Sequence, residues 1–468
     1  MKEQELSQLL EQEYLVNGRF QHRLADRIRI LPYVTHSPPP AAEQELTSWL
    51  GLSGEAARFL TKTHVREDVS PGILAAKMKN LVSTDRLQDL QDVVEKVVFD
   101  REGKLLPFNV SVFKYLPLNK NKTLRRLGHF TGDVFLDAAR IASCAKFDDT
   151  PGNVLYQLVS ESLPELEHGR KDAAGRFFVV DTGLTEPFAK DWEFMWQQKD
   201  RVRSHLPELL KFYAFQYQMR LVEKLDAFFS QETLEPLYFT LDWEKCSIGR
   251  KSYVAGWKRI EPKIRRIFSH VNCLEMLNII TAEGLDAPYD YQGLNYWLKT
   301  AAPDARSEYG AKLDTLVEFY RKQIANLGFG WQEHEDKLEP REWNDAILNR
   351  VHHFWLMIDC QFRYSHRNAP AGRYANWISV PAIRNFGKRR GRIGNTLSLN
   401  REQLMLLAWL AVGTRPKLRL HEFWEELRER GVDFDHQSKV LIVELLEKLN
   451  LLEKKSDSGD AQYVRAII

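Results

Sequence analysis

The run from Cys360 to Arg401 contains no Asp or Glu, although the chain as a whole is nearly neutral, with 66 Lys and Arg against 64 Asp and Glu. Positive charge is therefore concentrated locally. In the densest part, 387–395, glycines stand between the cations, as expected of a flexible loop that contacts phosphates. Nucleic acid is the polyanion that this pattern favours first. The run carries nine cations: Arg363, Arg367, Arg373, Arg384, Lys388, Arg389, Arg390, Arg392 and Arg401.

The primary candidates for DNA binding are cations of this run together with two lysines of a hairpin predicted near the C-terminus. Phosphate contact is one interpretation of the loop. A solvated basic linker and a docking loop for an acidic partner stay open. The long acid-free surroundings favour nucleic acid. The candidates are Arg384, Lys388, Arg389, Arg390, Arg392, Lys454 and Lys455.

Two weaker basic stretches accompany the loop. Residues 103–132 are also free of acids, and residues 249–266 hold seven cations against the single acid Glu261. Tyr253 and Trp257 in the second stretch have rings that can stack on bases, but the aromatic content of the chain favours a core role for both. The secondary candidates for DNA binding are Lys120, Lys122, Arg125, Arg126, Lys258, Arg259, Arg265 and Arg266.

Catalytic signatures are weak. The segment Gly249–Ser252 ends like a phosphate-binding loop but lacks the earlier glycine. Asp242–Lys245 resembles a nuclease metal site, yet on a predicted strand Glu244 and Lys245 face opposite sides. His352 and His353 lack the spacing of a metal-binding helix and are interpreted as structural. We therefore expect no enzyme activity, no metal and no cofactor, and we expect Glu244→Ala to leave activity near wild type.

Length and composition bound the class of protein. A chain of 468 residues that is 44% hydrophobic and 28% charged is expected to fold into two to four globular domains. Its four cysteines have no paired spacing, which disfavours zinc and disulfide motifs. The polar N-terminus does not resemble a secretory signal, and the longest apolar run, Leu404–Val412, is too short to span a bilayer. A soluble cytoplasmic location is expected, without a membrane partner.

Periodicity predicts a mainly α protein in three regions: a helical N-terminal region 1–150, a helical core region 151–385 with a few short strands, and a C-terminal region 386–468. The clearest helix is predicted from Leu206 to Phe229, with Pro207 in its first turn and apolar residues on both faces. Strands are predicted at 177–180 and 237–241.

The C-terminal region is predicted to combine the basic loop with a winged-helix domain. The predicted order is helix, strand, helix, helix and hairpin. Asn400 and Gln403 predict a capping box on the first helix and Gly413 its end. A short strand is predicted at 417–420 and a second helix at 421–430, and Asp435 is predicted to cap the third helix. A hairpin follows, in strands 451–456 and 461–468 around a turn. The predicted core contains Leu404, Leu407, Phe423, Leu427, Leu441, Leu445 and Leu449.

A winged helix usually reads DNA with its third helix, but protein contacts are an open alternative. His436, Gln437 and Lys439 at the start of this helix favour DNA. Glu444 and Glu447 further along would repel phosphates.

The residues from Leu449 to Val464, LNLLEKKSDSGDAQYV, resemble the C-terminus of the DNA-phosphorothioation-dependent restriction protein DptG (also called DndG) family, and Gly387–Asn400 is similar as well. The resemblance implies the G component of a bacterial anti-phage restriction system that acts on DNA lacking the host's sulfur-modified backbone. It also implies F and H partner subunits that are ATPases.

The expected function is thus a DNA-binding accessory subunit that bridges double-stranded DNA and ATPase subunits. Two alternatives stay open: a metal-dependent DNA nuclease, and a scaffold whose winged helix holds only protein partners.

Overall fold

The computed structural model describes residues 3–65, 69–82, 86–101, 103–116, 121–147, 152–169, 175–231, 233–339, 341–454 and 462–467. The chain is mainly helical with small sheets, as predicted. The helices are α1 Glu3–Tyr14, α2 Pro40–Ser48, α3 Leu50–Thr61, α4 Pro71–Val82, α5 Leu87–Val98, α6 Lys122–Thr131, α7 Ala139–Cys144, α8 Val154–Ser162, α9 Thr185–Gln197, α10 Lys199–Ala227, α11 Lys251–Val254, α12 Trp257–Arg265, α13 Ile267–Leu277, α14 Tyr291–Thr300, α15 Pro303–Ala325, α16 Trp331–Glu335, α17 Ala346–Tyr364, α18 Asn368–Phe386, α19 Arg401–Val412, α20 Leu420–Glu429 and α21 His436–Lys448.

The strands are short. They are β1 Leu15–Val16, β2 Arg19–Phe20, β3 Thr63–His64, β4 Glu167–His168, β5 Leu237–Leu241, β6 Gly387–Arg389, β7 Asn395–Leu399, β8 Lys417–Arg419, β9 Val432–Phe434, β10 Leu452–Lys454 and β11 Gln462–Arg465. Three further helical turns occur at Val110–Tyr115, Gly132–Leu136 and Gly391–Ile393. No helix in this described part of the chain is long and apolar enough to cross a lipid bilayer.

The central helix α10 confirms the predicted two-sided burial, with residues such as Leu210, Tyr213 and Tyr217 inside the main core. Its predicted start was wrong. The helix begins at Lys199 rather than Leu206, so Pro207 lies inside it and not in its first turn. A proline there leaves one carbonyl of the preceding turn without its helical partner. The apolar pattern begins at Leu206 because the first turns of α10 are mostly polar.

A four-stranded sheet, in the order β6-β7-β5-β9, connects the central and C-terminal regions. β5 is buried along its whole length and pairs in parallel with both β7 and β9, while β6 runs antiparallel to β7. This sheet crosses the predicted boundary between residues 385 and 386. Similarly, α8 packs against α4 in a smaller second core, so a shared packing unit also crosses the predicted boundary at residue 150.

The C-terminal elements follow the predicted order of helix, strand, helix, helix and hairpin, and both predicted caps are present. Asn400 and Gln403 form a capping box on α19, and the Asp435 side chain accepts from the Ser438 amide at the start of α21. β10 and β11 pair antiparallel and form a three-stranded sheet with β8. The strand β9, which was not predicted, lies between α20 and α21 and pairs with β5 instead.

The predicted C-terminal core is confirmed in its first half. Leu404, Leu407, Phe423 and Leu427 are buried, whereas Leu441, Leu445 and Leu449 are only partly buried. Ile442 and Leu446 of α21 are fully buried instead, and Leu441 and Leu445 pack against the edge of the core. The predicted strand at 177–180 is not a strand. Its backbone makes isolated hydrogen bonds instead. The Phe178 amide donates to the Arg29 carbonyl (2.8 Å), and the Val180 amide donates to the Tyr217 hydroxyl (3.1 Å).

A buried ion pair joins α20 to the central helices. The Arg430 guanidinium donates from Nη2 and Nε to the two carboxylate oxygens of Asp191, at 2.5 and 2.9 Å, and both side chains are almost fully buried. The Tyr213 hydroxyl donates to the same carboxylate at 2.6 Å. Removing one partner would leave the other charge buried without compensation.

We predict that Arg430→Met lowers the free energy of unfolding by about 3–5 kcal/mol, because the Asp191 carboxyl group then stays buried without its partner. Denaturant unfolding monitored by circular dichroism measures this loss. The matched control is Arg401→Met at an exposed position, which should change stability by less than about 0.5 kcal/mol. Equal stability of the two variants would contradict the structural role assigned to Arg430.

Phe228 lies at the centre of a cluster of aromatic side chains that includes two buried histidines. Its ring centroid lies 5.1 Å from His270, 4.7 Å from His352 and 4.9 Å from Trp355. The interpretation of His352 as a structural residue agrees with this packing. Burial, with the charges of Arg341 and Arg266 nearby, lowers the pKa of His352 to about 4. The neutral imidazole is therefore the form that the folded protein favours.

We predict that stability falls as the pH is lowered from about 6.5 to about 4. The pKa of His352 is lower in the folded chain than in the unfolded chain, so its contribution is fully present above the unfolded pKa and is lost as pH falls through the folded one. His352→Gln removes this titration, and the slope of unfolding free energy against pH should decrease by up to ~1.4 kcal/mol per pH unit. His421→Gln, which removes an exposed histidine, is the matched control for the substitution itself.

Candidate nucleic-acid interface

The densest part of the basic run forms a tight loop at the end of α18. The loop contains β6 and leads into β7, and the Arg390 amide donates to the Gly394 carbonyl at 2.7 Å. Gly391 and Gly394 have φ values of 61° and 86°, a backbone conformation that glycine adopts without steric cost. The loop 387–394 is thus a defined turn at the edge of the four-stranded sheet.

Arg390 faces the protein and not the solvent. Its guanidinium donates to the backbone carbonyls of Glu244 (2.5 Å) and Leu241 (2.8 Å). It also donates to the hydroxyls of Thr240 (2.9 Å) and Thr396 (3.2 Å). These bonds use four of the five N–H groups that an arginine carries. These bonds give Arg390 a structural role, in which it holds the end of β5 against the loop, and the expectation that Arg390 contacts phosphate stays a prediction.

Arg250 holds the turn that follows β5, residues 242–249, from the side opposite Arg390. Its Nη1 donates to the Lys245 carbonyl at 2.7 Å and lies 3.2 Å from the Glu244 carboxylate. Its Nε and Nη2 donate to both carboxylate oxygens of Asp435, at 2.9 and 2.5 Å. Ser438 on α21 completes the network by donating to Glu244 at 2.8 Å. The turn after β5 is therefore tied both to the basic loop and to the start of α21.

The electrostatics of this network favour the charged form of Asp435. Burial opposes ionisation of Asp435, but hydrogen bonds from Arg250 and Ser252 outweigh it and hold the pKa of that carboxyl well below its usual range. Glu244 is buried, and its carboxylate also accepts from the Leu241 amide at 2.8 Å.

Glu244 was predicted to lie on a strand. β5 ends at Leu241, so Glu244 lies in a turn, where strand alternation does not apply. The expectation that Glu244→Ala leaves activity near wild type is untested. The structure gives the carboxylate a role in stability. Among the residues that the structure describes, no group of three or more His, Cys, Asp or Glu side chains is placed to hold a metal ion.

Lys388, Arg389 and Arg392 are exposed on the outer side of the loop. Within the described ranges, no acidic side chain lies at ion-pairing distance from any of the three. The neighbouring turn 242–249 displays Trp243, with 47% of its surface exposed, and Ile248, with 65% exposed, together with exposed Lys245. The sequence did not predict that these three side chains are exposed, because a short turn has no residue pattern that shows which side chains face the solvent.

The other primary candidates have acidic neighbours or lie outside the described residues. Arg384 pairs with Glu43 at 2.5 Å, and Lys454 pairs with Glu447. Both pairs are solvent-exposed enough to exchange for other partners at small cost. Lys455 and the secondary candidate Lys120 lie outside the described residues.

The secondary candidates of α12 divide into two groups. Arg259 pairs with the buried Glu223 at 3.0 Å, and Arg266 lies 3.5 Å from Asp359 and 4.4 Å from the Trp355 ring, so both have structural partners. Lys258 and Arg265 are exposed, although Arg265 pairs with Glu261 one turn away at 2.9 Å. Trp257 is buried, and the half-buried Tyr253 carries Lys258 over its ring.

Two basic stretches that are distant in sequence meet in the fold. α12 from the 249–266 stretch packs against α18 and β7, which border the loop 387–394. The third stretch places exposed Lys122, Arg125 and Arg126 on α6, which packs against α3. We call the exposed cations of the loop 387–394, with Lys245 and Lys258, the basic surface.

No protein-family model matches the chain, and a comparison with curated protein sequences also finds no match. The resemblance of the C-terminal residues to the DptG family therefore stays a prediction.

We predict that Arg390→Met lowers the free energy of unfolding by about 2–4 kcal/mol, because several buried carbonyl and hydroxyl acceptors lose their donor. The matched control is its neighbour, Arg389→Met, which should change stability by less than about 0.5 kcal/mol. Chemical denaturation of the two variants measures the difference. Similar small effects for both would mean that Arg390 is as dispensable to the fold as an exposed cation.

Proposed function

We propose that this protein is a DNA-binding accessory subunit and that the basic surface contacts the phosphates of double-stranded DNA. The observation that carries the proposal is the exposure of Lys388, Arg389 and Arg392 on a loop that Arg390 holds in place, without an acidic neighbour in the described residues. Rigid presentation matters because a cation that is already positioned loses less conformational entropy on binding.

The winged-helix assignment for residues 399–468 belongs to this proposal. The order α19, β8, α20, α21 and the β10–β11 hairpin supports it, as does the pairing of β8 with the hairpin. Of the three residues expected at the start of the third helix, His436 and Gln437 are exposed, whereas Lys439 pairs with Asp433 at 3.0 Å. Since Asp435 is tied to the turn 242–249 through Arg250, the start of α21 lies beside that turn.

The resemblance to the DptG family supplies the proposed context. In that context the protein would bridge DNA and the F and H ATPase subunits of a phosphorothioation-dependent restriction system. The nuclease alternative receives less support, because the buried carboxylate of Glu244 already accepts from Leu241 and Ser438 and pairs with Arg250.

The scaffold alternative has one specific observation in its favour. Trp243 and Ile248 are large apolar side chains exposed in one turn, and exposed aromatic residues of this kind are common at the centres of protein interfaces. A partner subunit that covers this turn would also touch the basic surface.

We predict that duplex DNA binding weakens with salt, with a log–log slope of about −0.9 per phosphate contact. Replacing Lys388, Arg389 and Arg392 together by Ala should flatten the slope by about 2.7 and weaken binding to different sequences alike. Fluorescence anisotropy over a salt series measures both. The matched control replaces the three exposed cations of α6, Lys122, Arg125 and Arg126, and should keep the wild-type slope. An unchanged slope in the loop variant would contradict the proposal.

The scaffold alternative predicts a different pattern in the same variants. Trp243→Ala combined with Ile248→Ser should then abolish co-purification of partner subunits from the native host, while DNA affinity is absent in the wild-type protein too. Retained DNA binding with lost partners would instead indicate that one face of the protein serves both purposes.

A further inference from the structure

An open cleft of about 780 Å³ lies between α12 and α13 on one side and α17 and α18 on the other. Three guanidinium groups line it, those of Arg265, Arg266 and Arg363, against the two carboxylates of Glu261 and Asp359. Its volume lies in the range of pockets that hold small molecules or single nucleotides, which is too small for a duplex.

One wall of the cleft is built around the buried carboxylate of Asp359. Ser269 donates to it at 2.9 Å, Arg363 donates to it at 2.6 Å, and Arg266 lies 3.5 Å away. Arg363 and Arg266 thus share this carboxylate, and Arg266 also lies 3.8 Å from Asp226. Arg265 has 74% of its side chain exposed and, among the described residues, pairs only with Glu261 on its own helix, an arrangement that contributes little and exchanges easily. An anion entering the cleft therefore meets a surplus of positive charge.

The α18 side of the cleft is lined by small and polar residues. Gly372 leaves open space where a side chain would stand, and Asn376 and Ser379 lie one and two turns further along the same face. Amide and hydroxyl groups are suited to the polar edges of bases. α18 ends at Phe386, directly before the loop 387–394, so the cleft and the basic surface border the same helix.

We propose that this cleft binds one or two unpaired nucleotides of a DNA strand whose double-stranded part lies on the basic surface. The inference rests on the proposed function. Arg265 and Arg363 contact the phosphates, and the polar groups of α18 contact base edges. The protein would then favour DNA in which a duplex meets a single strand over a blunt duplex.

The sharpest probe is Gly372→Trp, which adds a large side chain to the lining of the cleft at a position where an added Cβ meets no atom within 4 Å apart from the neighbouring backbone of α18. Gly372→Ala is the matched control, since it adds only a methyl group to the same open space. Arg265→Gln is a second variant that removes charge at an exposed position. Circular dichroism and thermal unfolding of the full chain establish that each variant is folded.

Anisotropy titrations use a blunt duplex, the same duplex with a thymidine overhang, a thymidine oligonucleotide and free thymidine monophosphate. We expect wild-type protein to bind the overhang duplex at least tenfold more tightly than the blunt duplex, a difference of about 1.4 kcal/mol. Gly372→Trp should abolish this preference and keep blunt-duplex affinity, Arg265→Gln should reduce the preference, and Gly372→Ala should retain it.

Two results would overturn the inference while leaving the proposed function in place: equal wild-type affinity for both duplexes, or an overhang preference that survives Gly372→Trp. Tight binding of free thymidine monophosphate without any overhang preference would also overturn it, in favour of a free nucleotide ligand. Absence of all DNA binding by the wild-type protein would remove the proposed function and this inference together. Suppose that the wild-type protein prefers the overhang duplex and that the triple variant of Lys388, Arg389 and Arg392 loses blunt-duplex binding. This result supports both the proposed function and the inference about the cleft.

Discussion

The parallel pairing of β5 with β7 on one side and β9 on the other is the constraint on which the rest of the structure depends. Thr240 and Leu241 pair with Ser398 and Leu399, and Leu237 pairs with Val432. Through these pairings a strand from the middle of the chain lies between two strands from its last third. The basic loop, the turn after β5 and the helix after β9 are thereby brought to one part of the molecule, and none of them would be adjacent without this sheet.

Buried ions fix how these elements are oriented. Arg390 and Arg250 hold the turn 242–249 from two sides, and Arg430 with Asp191 fixes α20 against α9. Burying such groups costs desolvation energy, which only well-formed pairs with additional hydrogen bonds offset. We infer that their main contribution is to specify one arrangement, because apolar contacts of similar area would permit small rotations of α20 and α21. An arrangement fixed at the expense of this desolvation energy suits a surface whose exposed cations must keep a fixed spacing.

The helix caps were predictable from local signals, whereas the features that depend on tertiary pairing and packing were not. The caps at Asn400 and Asp435 were predictable because they depend on residues three positions apart. β9 was not, because Val432-Asp433-Phe434 is too short to show alternation and is a strand only through its pairing with β5. Pro207 suggested a helix start because proline is favoured there, yet tertiary packing of α10 tolerates it inside the helix.

The amino-acid composition predicted where the candidate site lies in the sequence, but not which of its side chains are exposed. The acid-free run identified the loop, whereas nothing in it distinguished Arg390, which faces inward, from Arg389, which faces outward. That difference depends on carbonyl groups 146 and 149 residues earlier in the chain. The same holds for Trp243 and Ile248, whose exposure follows from the turn that two arginines hold. Charge patterning thus locates a surface, and only the fold determines which of its side chains are available.

Hydrogen–deuterium exchange of the protein, with and without a short blunt duplex, tests the central claim most directly. The account predicts that DNA slows amide exchange in 387–394 and in 242–249, the two segments that Arg390 joins, while exchange in α6 stays unchanged. Slower amide exchange confined to α6 or to other distant helices would contradict the account. Amide exchange that is the same with saturating DNA as without it, throughout the protein, would contradict it too.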